Sequence, residues 1–293
     1  MDKGKSTRNM PAQGSGGGTT KGIIWGATKV GKTSLLLTLP PEETLVLDLE
    51  SGLKAVQGVN LDVEEVRTWG DARAMASYIG GPNPALPNSV DVPYSAAYYE
   101  RAKKRYEDKY NLDKYKYLFI DSITVASRLA KLWASQQNHR ILTEKGKVDV
   151  RKVYGVMAEE LIDFFTQLQR IKTLNVWLVG ILDSITSDSG EQLYLPQMEG
   201  SKATQALPGI FDEILCLTMM FGKDKEGREY SRRVFVTDRA NPWGYPAGDR
   251  SGCLDLYEPG HLGKVTEKIN SGRRKMQTFA DEPIEMDEIV YLR

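Results

Sequence analysis

Residues 26–33 constrain the fold of this chain more than any other stretch. Their sequence, GATKVGKT, has the required residue at every fixed position of the phosphate-binding pattern GxxxxGK(S/T). The apolar residues 23–25 precede it and predict a short buried strand, whereas residues 34–38, SLLLT, predict the first turns of a helix. A phosphate-binding loop, or P-loop, needs this order because backbone N–H groups at a helix N-terminus form its anion site. The sequence therefore predicts a nucleoside triphosphate site.

The residues of this loop have expected roles in binding ATP and Mg²⁺. Gly26 and Gly31 let the backbone fold around a polyphosphate without clashes from Cβ atoms. Lys32 is expected to reach the β- and γ-phosphates, and the Thr33 hydroxyl is expected to bind Mg²⁺. The predicted nucleotide-binding residues are the loop and the residue after it: Gly26, Ala27, Thr28, Lys29, Val30, Gly31, Lys32, Thr33 and Ser34.

Two further apolar runs are followed by carboxylates. Residues 44–49 and 117–120 predict buried parallel strands, and Glu50 and Asp121 come directly after them. Both acids are expected to face the ligand, because the carboxyl ends of parallel strands form the binding edge of an α/β sheet. Glu50 is a candidate general base that polarises the attacking water, and Asp121 a candidate Mg²⁺ ligand through the water shell of the metal. A turn-capping or helix-capping role for Glu50 stays open.

The other patterns complete an α/β domain. Residues 157–171 predict an amphipathic core helix, residues 175–181 a buried strand, and residues 211–221 and 233–237 two adjacent strands. The long, Ser/Gly-rich stretch of residues 183–205 is not expected to be regular throughout. The predicted fold is a mostly parallel central sheet flanked by helices, with antiparallel strands toward the C-terminus.

This domain is expected to span residues 21–259. Residues 1–20 are rich in Gly, Ser, Lys and Thr and predict a flexible tail, and residues 260–293 predict a helix followed by a mobile tail. The two cysteines, Cys216 and Cys253, have no nearby Cys or His at zinc spacing and are expected to be reduced thiols.

Charge and hydropathy exclude some classes of protein. Lys+Arg and Asp+Glu number 39 each, so the formal net charge is zero, which excludes a globally basic nucleic-acid binder but not a local basic loop. No apolar run approaches the ~20 residues of a membrane span. The N-terminus lacks the apolar core of a signal peptide. We therefore expect a cytoplasmic protein without a membrane partner.

The order of these motifs resembles the core of RecA-type ATPases. A P-loop is followed by a strand ending in Asp48-x-Glu50 and by a strand ending in Asp121-Ser122. More closely, the chain resembles phage-encoded RecA-like ATPases of the single-strand annealing and recombination group, through LDLESG at residues 47–52 and PWGYPAGDRSG at residues 242–252. The resemblance covers roughly residues 22–259. It implies that Glu50 is the catalytic glutamate and Asp121 the Walker B acid.

The resemblance also implies partners. RecA-type proteins assemble head to tail into rings or filaments, and a basic residue of one subunit completes the ATP site of its neighbour. Arg239 or Arg250 would then stabilise charge on the γ-phosphate in trans, although a role in bracing their turn stays open. The DNA-facing loops of the family correspond to residues 138–153 and 183–205. The first is basic, as phosphate contacts require, and its predicted DNA-binding residues are Arg140, Lys145, Lys147, Arg151 and Lys152.

The chain departs from the family pattern at two places. Residues 183–205 contain four acids against a single lysine. The polar sensor expected at the end of the strand at residues 175–181 is replaced by Gly180-Ile181-Leu182, with Asp183 as the nearest candidate. No separate DNA-binding domain is evident.

The predicted function is a Mg²⁺-dependent, DNA-stimulated ATPase acting on single-stranded DNA in recombination or annealing. A single-stranded DNA-binding protein is a candidate partner. Two other functions stay open. One is a small-molecule or nucleotide kinase, whose lid would be residues 238–252. The other is a nucleotide-gated assembly protein that does not hydrolyse ATP, against which the presence of Glu50 and Asp121 argues.

Overall fold

The computed structural model describes residues 18–223 and 226–272 of the chain. Apolar runs form strands that make a ten-stranded sheet. The strands are β1 (Lys21–Gly26), β2 (Thr44–Asp48), β3 (Asp62–Glu65), β4 (Tyr117–Asp121), β5 (Asn175–Thr186), β6 (Gln192–Pro196), β7 (Glu213–Lys223), β8 (Glu229–Val236), β9 (Gly248–Asp249) and β10 (Tyr257–Pro259). The helices are α1 (Trp69–Gly80), α2 (Ala96–Tyr106), α3 (Ile123–Ala134), α4 (Asn138–Ile141), α5 (Val150–Gln169), α6 (Ser201–Ile210) and α7 (Leu262–Asn270).

The sheet confirms the predicted fold class. Its strand order is β10-β8-β7-β1-β5-β4-β2-β3, and all neighbours from β7 to β3 run parallel. Antiparallel pairs occur where β8 joins β7, β10 joins β8, β9 joins β7 and β6 joins β5. Every residue of β1, β2 and β4 is buried, as expected for parallel strands covered on both faces. The carboxyl ends of these strands consequently meet at one edge.

Alternate residues of the strands supply two cores, one on each face of the sheet. Ile23 and Trp25 of β1 point into a core that α1, α3, α5 and α6 cover, with Phe164 and Phe165 among its largest side chains. Ile24 points into the other core, which also contains residues of the segment after the P-loop and of α7: Leu35, Leu36, Leu262 and Val265. The C-terminal helix is thus part of the packed domain.

Residues 183–205 are not regular throughout, as predicted, because turns at residues 187–191 and 197–200 separate two strand segments and the start of a helix. β5 continues to Thr186, β6 folds back against it, and α6 begins at Ser201. The Ser/Gly content that suggested irregularity belongs to the turn after Thr186, where Gly190 has a φ of 86°. α6 is held on the sheet by two buried side chains, Ala203 and Leu207.

Two segments have a local structure that the sequence patterns did not specify. The residues after the P-loop form a 3-10 helix, Thr33–Thr38, rather than an α-helix, and Leu35 and Leu36 anchor it in the core. The polar residues 138–153 contain α4, a tight turn closed by a bridge between Leu142 and Val148, and the first residues of α5. The Asp149 carboxylate caps α5 by accepting from the N–H of Arg151 and of Lys152, so these two basic residues lie in a helical turn.

Two β-hairpins rise on either side of the P-loop. Gly26, the last residue of β1, pairs with Ile181 of β5 and with Leu217 of β7. Both neighbouring strands continue past this point, β5 to Thr186 against β6 and β7 to Lys223 against β8. We call the second hairpin, formed by residues 218–223 and 229–234, the β7–β8 arm.

Residues 1–17 and 273–293, which include most of the two predicted tails, lie outside the described residues, and the predicted domain limits stay a prediction. Among the residues that are described, none of the helices is long and apolar enough to cross a bilayer.

Candidate nucleotide-binding site

The P-loop lies at the carboxyl end of β1 and turns tightly before the 3-10 helix. Lys29 and Gly31 have positive φ values of 64° and 101°, which lets the loop fold back on itself. Gly26 has no space for a side chain, because a Cβ atom there would lie 2.8 Å from the Leu217 carbonyl oxygen. Gly26 is therefore required by packing against β7, and Gly31 by the bend of the loop.

The Lys32 side chain lies across the loop. Its Nζ atom donates to the carbonyl oxygens of Gly26 and Ala27, both at 2.9 Å. Burial lowers the pKa of Lys32, while the carboxylates of Asp121 and Glu50 act in the opposite direction. A partly desolvated ammonium group held by two neutral acceptors is well placed to bind a phosphate, which is a stronger acceptor than a peptide carbonyl.

Thr33 and Asp121 form a direct contact across the site. The Thr33 hydroxyl donates to Oδ2 of Asp121 at 2.6 Å, which joins the end of the P-loop to the end of β4. Burial raises the pKa of Asp121 to about 6, and the carboxylates of Glu50 and Asp48 add to this effect, while Thr33 and Lys32 oppose it. A hydroxyl and a carboxylate at contact distance fit Mg²⁺, which prefers oxygen ligands and takes few of them from the protein.

Glu50 lies beside this pair on the turn that follows β2. The Ser122 hydroxyl donates a hydrogen bond to the Glu50 carboxylate, which is otherwise exposed. The turn itself is capped by Asp48, whose Oδ1 accepts from the N–H of Glu50 at 3.0 Å and from that of Gly52 at 3.5 Å. Turn capping is thus done by Asp48, and the Glu50 carboxylate points to Ser122, next to Asp121.

Arg233 is a site residue that the sequence analysis missed. It lies on β8, and its Nε donates to the Val30 carbonyl oxygen of the P-loop at 2.9 Å. Its guanidinium also covers Gly31, where an added Cβ would lie 2.6 Å from Nε. The only sequence signal was the pair Arg232-Arg233 at the start of a predicted strand, and which of the two faces the loop depends on the register of β8.

β5 passes the site without a polar side chain, where the resemblance predicts a sensor. Gly180 is packed so tightly that a Cβ would lie 2.2 Å from the Trp25 ring and 2.6 Å from Ile123. The Ile181 N–H donates to the Thr124 hydroxyl at 3.1 Å. Asp183, the nearest candidate, is exposed on the hairpin formed by β5 and β6. Position 180 consequently has no room for a larger residue.

Arg239 and Arg250 are not part of this site within one chain. Both line a groove beside Asp212, which precedes β7. Arg250 donates to the Asp212 carboxylate at 2.8 Å and to the Pro208 carbonyl oxygen at 3.4 Å. Asp212 precedes Leu217, the partner of Gly26, by five residues, or about 17 Å of strand. The Arg250–Asp212 pair therefore lies toward the sheet edge opposite the P-loop.

The predicted DNA-binding residues lie in three neighbouring places: Arg140 in α4, Lys145 and Lys147 on the turn between α4 and α5, and Arg151 and Lys152 in the first turn of α5. Arg140 is paired with Glu159, and Nζ of Lys152 donates to the Leu142 carbonyl oxygen at 2.9 Å. The other three side chains are exposed and make no hydrogen bond or ion pair with the described residues: Lys145, Lys147 and Arg151. This surface is joined to the nucleotide site by α3, a helix of 12 residues and about 18 Å that begins directly after Ser122.

The fold and the site define a P-loop ATPase. A central parallel sheet, a phosphate-binding loop after its middle strand and a carboxylate at the end of a nearby strand are the parts that this class shares. The chain matches the family model described as AAA domain over residues 19–251, most of its length, and therefore belongs to that family. No curated protein matches the chain.

Asp121→Asn is expected to stabilise the protein when it is measured without nucleotide and Mg²⁺ at pH 8. Asparagine keeps an oxygen for the Thr33 hydroxyl and removes the buried charge. The pKa of Asp121 rises from 3.8 in the unfolded chain to about 6 in the fold. The folded protein therefore holds this proton more tightly, and wild-type stability falls as pH rises from about 4 to about 6.

The gain from Asp121→Asn should be about 1–3 kcal/mol at pH 8 and should shrink toward zero near pH 4. Urea unfolding at a series of pH values measures it. The exposed Asp91→Asn controls for the loss of one negative charge. A variant of Asp121 that is less stable than wild type at both ends of the pH range would contradict this electrostatic description.

Proposed function

We propose that this protein is a Mg²⁺-dependent ATPase with a RecA-like core, and that it acts on single-stranded DNA in recombination or annealing. The observation that carries the hydrolytic part is the convergence of Lys32, the Thr33–Asp121 pair and Glu50 at one edge of the sheet. A protein that only binds nucleotide has no need of an accessible carboxylate next to the phosphate site. Glu50 is such a carboxylate.

Each of these side chains has its own proposed role. Lys32 exchanges its two carbonyl partners for phosphate oxygens, which accept stronger, charge-assisted hydrogen bonds. Thr33 and Asp121 would hold Mg²⁺, which, when bound, neutralises charge on the phosphate oxygens. Glu50 takes a proton from the attacking water and so makes it more nucleophilic toward the γ-phosphorus. Ser122 orients the Glu50 carboxylate by donating a hydrogen bond to it.

The position of residues 238–252 favours an ATPase over a kinase. A P-loop kinase needs a basic lid that closes over the acceptor beside the γ-phosphate, and this segment was the one candidate in the sequence. Its Arg250 is tied to Asp212 near the opposite edge of the sheet, and its β9 pairs with the start of β7. The Arg250 end of this segment is therefore held away from the P-loop of its own chain, whereas the Tyr245 hydroxyl lies 3.2 Å from that of Thr218, closer to the loop edge of the sheet.

Glu50→Gln is expected to lower the kcat of ATP hydrolysis by about 10²–10⁴-fold, because glutamine cannot take the proton from water. ATP binding should persist, since Lys32, Thr33 and Asp121 are unchanged. Phosphate release and nucleotide binding are measured on the same preparations, with the exposed Glu42→Gln as the control. Turnover of Glu50→Gln at the wild-type rate would exclude Glu50 as the base. If the wild-type protein binds ATP without hydrolysing it, the result would favour the function of a nucleotide-gated assembly protein.

The proposed DNA contact is the surface between α4 and α5. Lys145, Lys147 and Arg151 supply three exposed cations that no described carboxylate neutralises, and backbone phosphates are the ligands that such groups bind. The other segment that the resemblance associates with DNA contains the hairpin of β5 and β6. It is acidic, with Asp183, Asp188 and Glu191 and no Lys or Arg from residue 182 to residue 201. We therefore assign DNA binding to the first surface alone.

Replacing Lys145, Lys147 and Arg151 by alanine is expected to abolish stimulation of the ATPase by single-stranded DNA and to leave the basal rate unchanged. The slope of log K for DNA binding against log salt should fall by about 2, as expected for three lost phosphate contacts. The control removes three exposed cations elsewhere, Lys104, Lys172 and Lys264. Equal DNA binding by the two triple variants would contradict this assignment.

A head-to-tail homo-oligomer would bring a basic residue of one subunit to the nucleotide of the next. Between the two candidates, Arg239 is favoured, because Arg250 is already paired with Asp212. The Arg239 guanidinium is exposed and has no hydrogen bond or ion pair among the residues described. We propose that Arg239 stabilises charge on the γ-phosphate in trans, as arginine fingers do.

A mixing experiment tests action in trans. Lys32→Ala and Arg239→Ala should each lose about 10³-fold or more in turnover when assayed alone. When the two variants are mixed, a Lys32→Ala subunit can supply its intact Arg239 to the intact nucleotide site of an Arg239→Ala subunit. The activity of the mixture should therefore exceed the summed activities of the two variants assayed alone. Arg250→Ala is the matched control and should keep most of its activity. A mixture that recovers nothing would exclude complementation between subunits.

A further inference from the structure

Arg233 is a basic side chain of the nucleotide site that comes from the same chain as the P-loop. It occupies the β8 position opposite Met219, on the β7–β8 arm. The arm carries it past the end of β1, so that its Nε reaches the Val30 carbonyl oxygen at 2.9 Å. Its contact with the loop continues at Gly31, where an added Cβ would lie 2.8 Å from Cζ and 3.0 Å from Nη2. The whole guanidinium thus lies on the phosphate-binding loop.

The bonding capacity of this guanidinium is largely unused. The group has five N–H donors in a planar fork, and one of them is engaged by Val30. No carboxylate in the described ranges forms an ion pair with Arg233, and the side chain is exposed to solvent. Phosphate oxygens accept charge-assisted hydrogen bonds about twice as strong as those to a neutral carbonyl. A polyphosphate in the loop would therefore compete well for this side chain.

The charges around the loop make a second cation favourable for binding a polyphosphate. Three carboxylates gather at this edge of the sheet, on Asp48, Glu50 and Asp121, and they disfavour a polyanion. Lys32 lies at the same edge, and its positive charge partly offsets the charge of these carboxylates. Arg233 approaches the loop from the β7 side, across β1 from these acids, where its charge is not cancelled by a partner.

We propose that Arg233 is a phosphate-contacting residue acting in cis, which leaves the Val30 carbonyl to bind a phosphate oxygen of the nucleotide. The proposal rests on nucleotide binding by the P-loop and not on hydrolysis or on DNA. It differs from the proposed role of Arg239, which acts on the nucleotide of another subunit. Because Arg233 belongs to the β7–β8 arm, its contact with phosphate also ties this arm to the presence of nucleotide.

The neighbouring Arg232 provides a matched control. Successive side chains of a strand point to opposite faces, and the Arg232 guanidinium lies 4.6 Å from the centre of the Tyr230 ring instead of on the loop. The two arginines share the strand, the exposure and the charge, and they differ in contact with the P-loop. Arg233→Met and Arg232→Met keep an unbranched apolar stem and remove the charge, and Arg233→Lys keeps the charge and removes the fork.

The test measures binding of a non-hydrolysable ATP analogue with Mg²⁺ by calorimetry, and the rise in Tm that the analogue produces. Arg233→Met should weaken binding by about tenfold or more, the loss expected for a hydrogen bond to a charged group. Arg233→Lys should lie between this variant and wild type, and Arg232→Met should bind within about twofold of wild type. The increase in Tm on adding the analogue should shrink in the same order.

Two outcomes would overturn the proposal. One is an Arg233→Met variant that binds the analogue as tightly as wild type. The other is a variant whose Tm without ligand is lower but whose increase with the analogue is unchanged, which would make Arg233 a brace of the loop only. Wild-type protein that binds the analogue but does not hydrolyse ATP would contradict the proposed ATPase function alone, because the test of Arg233 does not depend on turnover.

Discussion

The pairing of β1 with a parallel neighbour on each side is the constraint on which the site depends. All six residues of β1 are buried, and its alternate side chains enter both cores. The strand therefore has no freedom to shift, and the loop that follows Gly26 has a fixed starting point between β5 and β7. Because β2 and β4 run in the same direction in the same sheet, their last residues place Glu50 and Asp121 at the edge where the P-loop lies.

At this edge, each of the side chains with the strongest hydrogen-bonding capacity has at least one partner, in the loop or in another of these side chains. Lys32 and Arg233 donate to carbonyl oxygens of the P-loop, and Thr33 donates to Asp121. Such pairing limits the cost of keeping charged groups partly desolvated. All of these partners are weaker than phosphate or Mg²⁺, so the same groups are available to a nucleotide at little cost.

Local patterns predicted much of this architecture. The P-loop, Glu50 and Asp121 each lie in a short stretch whose spacing already places them at a strand end. Arg233 could not be found in this way, because it contacts Val30 across 203 residues and only the register of β8 on β7 brings the two together. For residues 183–205 the sequence predicted only that the stretch is not regular throughout, and it did not locate β6 or α6 within it. The role that we propose for Arg239 requires a neighbouring subunit, which no pattern within one chain describes.

The assignment of Thr33 and Asp121 as the Mg²⁺ site is tested most directly by measuring whether nucleotide binding depends on Mg²⁺. Calorimetric titration of wild-type protein and Asp121→Asn with a non-hydrolysable ATP analogue, in Mg²⁺ and in chelator, measures this dependence. We predict that Mg²⁺ tightens binding to wild type by about tenfold or more, equivalent to about 1.4 kcal/mol, and has little effect on the variant. Equal affinity of the wild type in both buffers, or an undiminished Mg²⁺ effect in Asp121→Asn, would contradict the assignment of this site.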